Sequence, residues 1–227
     1  MTRIKVIKVI RVDNGYKVGR IHNDDLNCNL CLFSISLCVK MKTMSEELLP
    51  LKGTNYKNLI SYQKAEVIYR LTYYFCHKYL ERGDRTIDQM VQAARSGKQN
   101  IVEGCAASVT SSKTEIKLLN VAKASLHELL VDFEDYLHTR NHNQWEANSV
   151  EVEAMRRIGK EHNDSAYFMK LAETRSAETI ANMAIVLIKQ ADYLLYRQLQ
   201  RLSSDFLKEG GFSEKMMRLR KACREKR

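Results

Sequence analysis

The sequence predicts an all-α protein, an antiparallel up-down-up-down four-helix bundle with a short C-terminal basic helix. Three observations support this prediction. Apolar residues recur at spacings of three and four through four long segments. Capping residues and glycines fall between those segments. The chain contains a single proline, Pro50, so no proline interrupts a helix after it.

The first two helices are expected at about 56–82 and 85–104. In the first, apolar side chains such as Ile68, Leu71 and Phe75 share one face. The second carries small residues, which let two helix backbones approach closely. We expect Gly104 to end this helix and let the chain turn back. The predicted packing motif comprises Ala94, Gly97, Ile101 and Gly104.

The first helix is also rich in tyrosine, and the simplest interpretation is a core or subunit contact, since tyrosine combines apolar area with a polar tip. A stacking surface for nucleic acid is the alternative, and it would require exposed rings beside cations. The residues concerned are Tyr62, Tyr69, Tyr73 and Tyr74.

The third helix is expected at 112–140, opened by a capping box formed by Ser112 and Glu115. A polar insert, 141–173, follows and has room for a short amphipathic helix. The last long helix is expected at 174–208, and its apolar arc is wider than one core-facing side needs. A second packing partner is therefore expected, and the candidate oligomer interface comprises Ile185, Ile188, Leu195 and Leu199.

The domain organisation follows from composition. Residues 1–43 form an atypical N-terminal extension with a weak hairpin pattern around Asp13-Asn14-Gly15. Either the true start lies near Met44 or this extension is poorly ordered. Residues 44–211 hold the bundle, and residues 212–227 form the basic C-terminal helix after Gly210-Gly211.

The net charge of +10 is carried by the two ends of the chain. Residues 1–43 carry +5 and residues 215–227 carry +6, which leaves −1 for the body. A basic tail attracts phosphates through counterion release, whereas a solvated tail that keeps the protein soluble is the plainer interpretation. The nucleic-acid-binding candidates are Lys215, Arg218, Arg220, Lys221, Arg224, Lys226 and Arg227.

Metal sites have weak support in the sequence. Di-iron bundles use Glu-x-x-His pairs, and the nearest pattern here, Asp135 and His138, is more typical of a polar helix end. A zinc site would need four ligands at regular spacing. The cysteine-rich stretch does not provide that spacing; its residues are His22, Cys28, Cys31 and Cys38.

Catalysis is likewise not predicted. Lys98, Asn100 and Glu103 cluster near the small-residue turn, but no nucleophile–base pair or glycine-rich phosphate loop accompanies them. We therefore predict a protein that is not an enzyme and has no cofactor or catalytic residue. The longest uncharged run, 26–39, is too short to span a membrane, and the six cysteines show no disulfide spacing. A cytoplasmic protein with no membrane partner is expected.

Residues 95–104, Arg-Ser-Gly-Lys-Gln-Asn-Ile-Val-Glu-Gly, and 121–130, Val-Ala-Lys-Ala-Ser-Leu-His-Glu-Leu-Leu, carry a family resemblance. They resemble small bacterial four-helix-bundle proteins encoded in intervening sequences of ribosomal RNA genes, and the accessory variability protein of diversity-generating retroelements. The ending 206–220 resembles a subgroup named for a four-helix-bundle suffix. The resemblance implies a homo-oligomer, often a pentamer, without established catalytic residues. For the retroelement member it implies binding to a reverse transcriptase and to nucleic acid.

Two functions therefore remain open. The first is a non-enzymatic, homo-oligomeric scaffold or adaptor. The alternative is an RNA- or DNA-binding accessory protein that acts with a reverse transcriptase or a ribosomal RNA locus through its basic tail.

Overall fold

The computed structural model describes residues 7–12, 15–20 and 55–225, and the chain divides into two units, Met1–Pro50 and Leu51–Arg227. In the first unit, strands β1 (Ile7–Val12) and β2 (Gly15–Arg20) pair antiparallel, with Val9 opposite Val18. The weak hairpin pattern therefore corresponds to two paired strands. The expectation of poor order for residues 1–43 lies largely outside the described residues.

In the second unit, the described residues form helices without strands, which confirms the predicted all-α class for this part of the chain. A short 3-10 turn at Tyr56–Asn58 precedes them. None of the described helices is both long enough and apolar enough to cross a membrane. The helices are α1 (Ile60–Tyr79), α2 (Arg85–Ala107), α3 (Ser112–Thr139), α4 (Val150–Glu161), α5 (Ser165–Glu173), α6 (Ala177–Glu209) and α7 (Phe212–Glu225).

Most of these helices begin at a side-chain cap. A Ser or Asp oxygen accepts a hydrogen bond from a backbone N–H of the first turn, which satisfies a donor that the helix itself cannot. Gly210, at φ +76°, ends α6 in a backbone conformation that favours glycine. The capping residues are Asp84, Ser111, Ser149, Asp164 and Ser176.

The four long helices pack in the pairs α1–α2, α2–α3, α3–α6 and α1–α6. Residue numbers rise along one helix of a pair as they fall along the other. The contacts that define this order are Glu66–Lys98 and Cys76–Met90 for α1–α2, and Gly97–Leu126 and Gly104–Leu118 for α2–α3. They are Lys123–Asp192 and Glu134–Lys189 for α3–α6, and Ser61–Gln198 and Tyr79–Arg175 for α1 and α6 with the residues just before it.

The centre of the core is aromatic. The Phe75 ring lies 5.2 Å from Phe133 and 4.7 Å from Tyr136, both in edge-to-face geometry. The predicted polar insert, 141–173, also contributes to this core, because α4 and α5 bury apolar side chains such as Met155 and Phe168. The sequence led us to expect at most one short helix there, and the structure has two.

Gly104 does not end the second helix as predicted. α2 continues to Ala107, and the turn before α3 follows that residue. Both Gly97 and Gly104 are buried. A Cβ added at Gly97 would lie 2.8 Å from the Leu126 side chain, whereas one at Gly104 would meet its nearest neighbours at 3.5 Å. The glycine needed for close helix approach is therefore Gly97.

The capping box at the start of α3 was predicted one residue too late. Ser111, not Ser112, is the cap, and its hydroxyl accepts from the Thr114 backbone N–H at 3.2 Å. Glu115 is 9% exposed instead of bonding back to the cap. Burial raises the pKa of the Glu115 carboxyl.

The wide apolar arc of α6 finds its second partner inside the same chain. Ile185, Ile188 and Leu195 are buried, and α4 packs against α6. Leu199 is partly buried against the same core. Three of the four candidate interface residues are therefore covered within the chain itself, and self-association stays a prediction.

Candidate functional site

Helix α7 holds five of the seven cations predicted to bind nucleic acid, and all five are exposed. Lys226 and Arg227 lie outside the described residues. No residue of Phe212–Glu225 is buried, so the helix as a whole contributes nothing to the core. The cations described are Lys215, Arg218, Arg220, Lys221 and Arg224.

The polar contacts of α7 join it to the end of α6. Lys215 Nζ lies 2.6 Å from Glu209 Oε2, and this hydrogen bond lowers the pKa of Glu209. The Arg218 guanidinium donates to the Glu209 carbonyl. Within the described part of the chain, Arg220 and Arg224 form no ion pair. Their charge is therefore available to a partner.

An apolar stripe runs along the same helix. Phe212, Met216 and Leu219 follow one another at spacings of four and three and are half-buried, while Met217 is 72% exposed. A shallow concavity of about 520 Å³ lies along this stripe beside Arg220 and Arg224. The arrangement is that of an amphipathic basic helix.

The polar residues weighed for catalysis do not converge. Glu103 is exposed, Asn100 donates to the Ser96 carbonyl at 2.9 Å, and Lys98 pairs with Glu66 at 3.0 Å. Asn100 and Lys98 therefore make structural contacts within the helices, and Glu103 faces the solvent.

The candidate metal ligands fall into two groups. Asp135 and His138 are exposed on α3, and no group of three or more potential metal ligands occurs among the described residues. The cysteine-rich candidates His22, Cys28, Cys31 and Cys38 lie outside the described residues.

The tyrosines of α1 divide between core and surface. Tyr62, Tyr69 and Tyr74 pack against the core, whereas Tyr73 is 49% exposed and stacks on His77 at 4.0 Å. Lys98 Nζ lies 4.1 Å from the centre of the Tyr69 ring. Of these four tyrosines only Tyr73 is exposed, which is fewer than the row of rings that a stacking surface requires.

A second candidate site is a cavity of about 820 Å³ that α1, α4, α6 and the segment before α4 line. Its most unusual residue is Lys64, which is 1% exposed. The Lys64 ammonium donates to the Gly159 carbonyl and, at 3.1 Å, to the His162 carbonyl, both at the C-terminal end of α4. The negative end of the α4 dipole favours a cation there, yet burial lowers the pKa of Lys64 to about 8.

Sequence reasoning missed Lys64, although the signal was present. Lys64 precedes Ile68 by four residues and Leu71 by seven, so it lies on the apolar face of the first helix. A lysine on that face is either paired or functional, because an unpaired buried charge is costly.

Comparison of this chain with protein-family models, with curated proteins and with solved structures finds no match. The resemblance carried by residues 95–104 and 121–130 therefore stays a prediction.

Proposed function

We propose that this chain is a non-enzymatic, cytoplasmic adaptor built on an antiparallel up-down-up-down four-helix bundle, which binds RNA or DNA through α7 and self-associates. The opposite residue order in the four long-helix pairs supports the bundle topology. The family resemblance supports self-association, for which a pentamer is the leading hypothesis, and a reverse transcriptase as a further partner.

A single observation carries the nucleic-acid proposal. Every described cation of α7 is exposed, and the helix buries none of its residues against the body. The whole body between the two basic ends carries −1, so phosphate attraction concentrates on this helix and the hairpin-containing extension. Such contacts bind phosphates without reading base sequence.

Truncation after Gly211 tests this proposal. We expect affinity for single-stranded RNA at low salt to fall about 100-fold, and the slope of log affinity against log salt to flatten by about 2–4 units, because fewer counterions are released. Fluorescence anisotropy with labelled RNA across a salt series measures both quantities.

A matched pair of double variants controls for net charge. Arg220→Gln with Arg224→Gln removes two α7 charges, whereas Lys113→Gln with Lys117→Gln removes two exposed charges from α3. The first pair should weaken RNA binding and the second should not. Equal losses for both pairs, or unchanged binding after truncation, would reject α7 as the contact.

Self-association needs a surface other than the buried part of α6. A groove of about 670 Å³ lies between the start of α3 and the second half of α6. Ile116, Tyr196, Leu199 and Leu207 line it, and Leu207 is 83% exposed. This groove retains one residue of the original candidate interface, Leu199, and exposes apolar area that a second copy would cover.

We expect Leu207→Glu to lower the mass measured by light scattering at micromolar concentration, because a charge at the centre of an apolar contact is costly to desolvate. Val150→Glu, at another exposed apolar position (79% exposed), should leave the mass unchanged. A monomeric wild-type protein at that concentration would defeat the self-association proposal.

A further inference from the structure

The cavity beside Lys64 has a one-sided charge. All four charged residues that line it are cations, namely Lys64, Arg156, Lys160 and Lys189, and no lining residue is acidic. Among the residues that the structure describes, Lys189 alone of these four has a carboxylate partner, Glu134, at 3.5 Å. A concave surface lined by one sign of charge raises the local concentration of ions of the opposite sign.

Lys64 brings one of these charges into the protein interior. The ammonium has three N–H donors, and two of them go to the Gly159 and His162 carbonyls. Neither acceptor carries a formal charge. Within the described residues, Lys64 therefore forms no ion pair, and its ammonium also lies 5.7 Å from the centre of the Phe168 ring.

The rest of the lining is largely apolar and aromatic. An apolar wall beside a few placed polar groups is the usual composition of a small-molecule site, and 820 Å³ lies within the usual size range. The apolar residues of the wall are Ile60, Trp145, Val152, Ile185, Val186 and Leu194.

Two polar side chains of the lining are not satisfied by any described residue. Asn163 Oδ1 and Gln190 Oε1 are buried without a donor. The orientation of Gln190 is set, because its Nε2 donates to the Arg156 carbonyl at 2.8 Å. Buried acceptors without a donor are rare in native proteins, and a carboxylate has no donor to give them, so these two side chains do not form part of the head-group contact.

We infer that this cavity binds an amphipathic organic anion, a carboxylate attached to an apolar body. The cations Lys64, Arg156 and Lys160 neutralise the head group, and the apolar wall that includes Trp145 covers the body. This site is separate from α7, and binding of the anion there does not depend on whether the protein binds nucleic acid.

The experiment uses the intrinsic fluorescence of Trp145, the one tryptophan of the chain, with decanoate and the uncharged decanol as probes. Titration of the full-length protein with decanoate should change this fluorescence saturably, with an affinity at least about tenfold tighter than for decanol, because a charge-assisted hydrogen bond contributes roughly 1.5–3 kcal/mol. No saturable change, or equal affinity for the two probes, would overturn the inference.

Variants locate the site. Lys64→Met should weaken decanoate binding more than tenfold, and Arg156→Gln should weaken it about threefold to fivefold, since a partly exposed charge contributes less. Arg157→Gln is the matched control, because Arg157 is the next residue on α4 but does not line the cavity. If Lys64→Met does not fold, the comparison of Arg156→Gln with Arg157→Gln still decides, and equal affinities for those two variants would place decanoate elsewhere.

Discussion

Gly97→Val will lower the free energy of unfolding by about 2–3 kcal/mol, because overpacking a close helix contact costs that much. A Cβ at Gly97 already lies 2.8 Å from the Leu126 Cγ and Cδ2 atoms, and the two extra methyl groups of valine add to the collision. For a chain of this size the unfolding midpoint should fall by about 5–10 °C, measured by circular dichroism.

Gly104→Ala is the control for this prediction. The added Cβ would contact the Glu115 carbonyl oxygen and Leu118 at an ordinary 3.5 Å, and alanine favours the helix over glycine. This variant should gain up to about 1 kcal/mol. Similar destabilisation by both substitutions would show that Gly97 is not the point of closest approach between α2 and α3.

Between about pH 8 and pH 10.5, Lys64 will make the folded protein more stable as the pH rises. Burial lowers the folded-state pKa to about 8, so in this window the unfolded chain binds more protons than the folded one. The full cost of burying the ammonium is present below pH 8 and disappears towards pH 10.5, a gain of at most about 3 kcal/mol.

Urea denaturation across this pH range measures the effect, with Lys64→Met as the test variant and Lys160→Met, which removes an exposed lysine, as the control. The Lys160 variant should follow the wild-type curve. The Lys64 variant should lose the rise in stability with pH, because methionine does not titrate. Loss of the donor to the Gly159 and His162 carbonyls changes the stability of this variant at every pH and so does not produce a slope. Parallel curves for all three proteins would contradict the prediction.

The expected helices of the body correspond closely to α1, α2, α3 and α6, because their apolar spacing of three and four depends only on local sequence. Errors at helix ends have a physical cause. Ser111 and Ser112 are equally good caps by residue type, and only the turn that precedes them selects Ser111. Glycine at position 104 is compatible with a helix end or a helix interior, and packing against α3 decides between them.

The candidate sites also divide into those that the local sequence predicts and those that packing decides. The exposed cations of α7 could be predicted, because a dense run of like charge stays in the solvent instead of being buried. The burial of Ile185, Ile188 and Leu195 could not, because α6 packs against α1, α3 and α4, which are all distant from it in sequence. Surplus apolar area on a helix requires a cover, but the pattern does not say whether that cover comes from the same chain.

By itself, therefore, the amino-acid sequence determined the all-α body, the small-residue contact of α2 and the basic C-terminal end, all of which follow from local periodicity and charge. Only the tertiary structure decided that Gly97 is the close contact, that the insert completes the core, and that Lys64 is buried beside a cationic cavity. Those outcomes depend on residues far apart in the chain, since packing and desolvation act between neighbours in space.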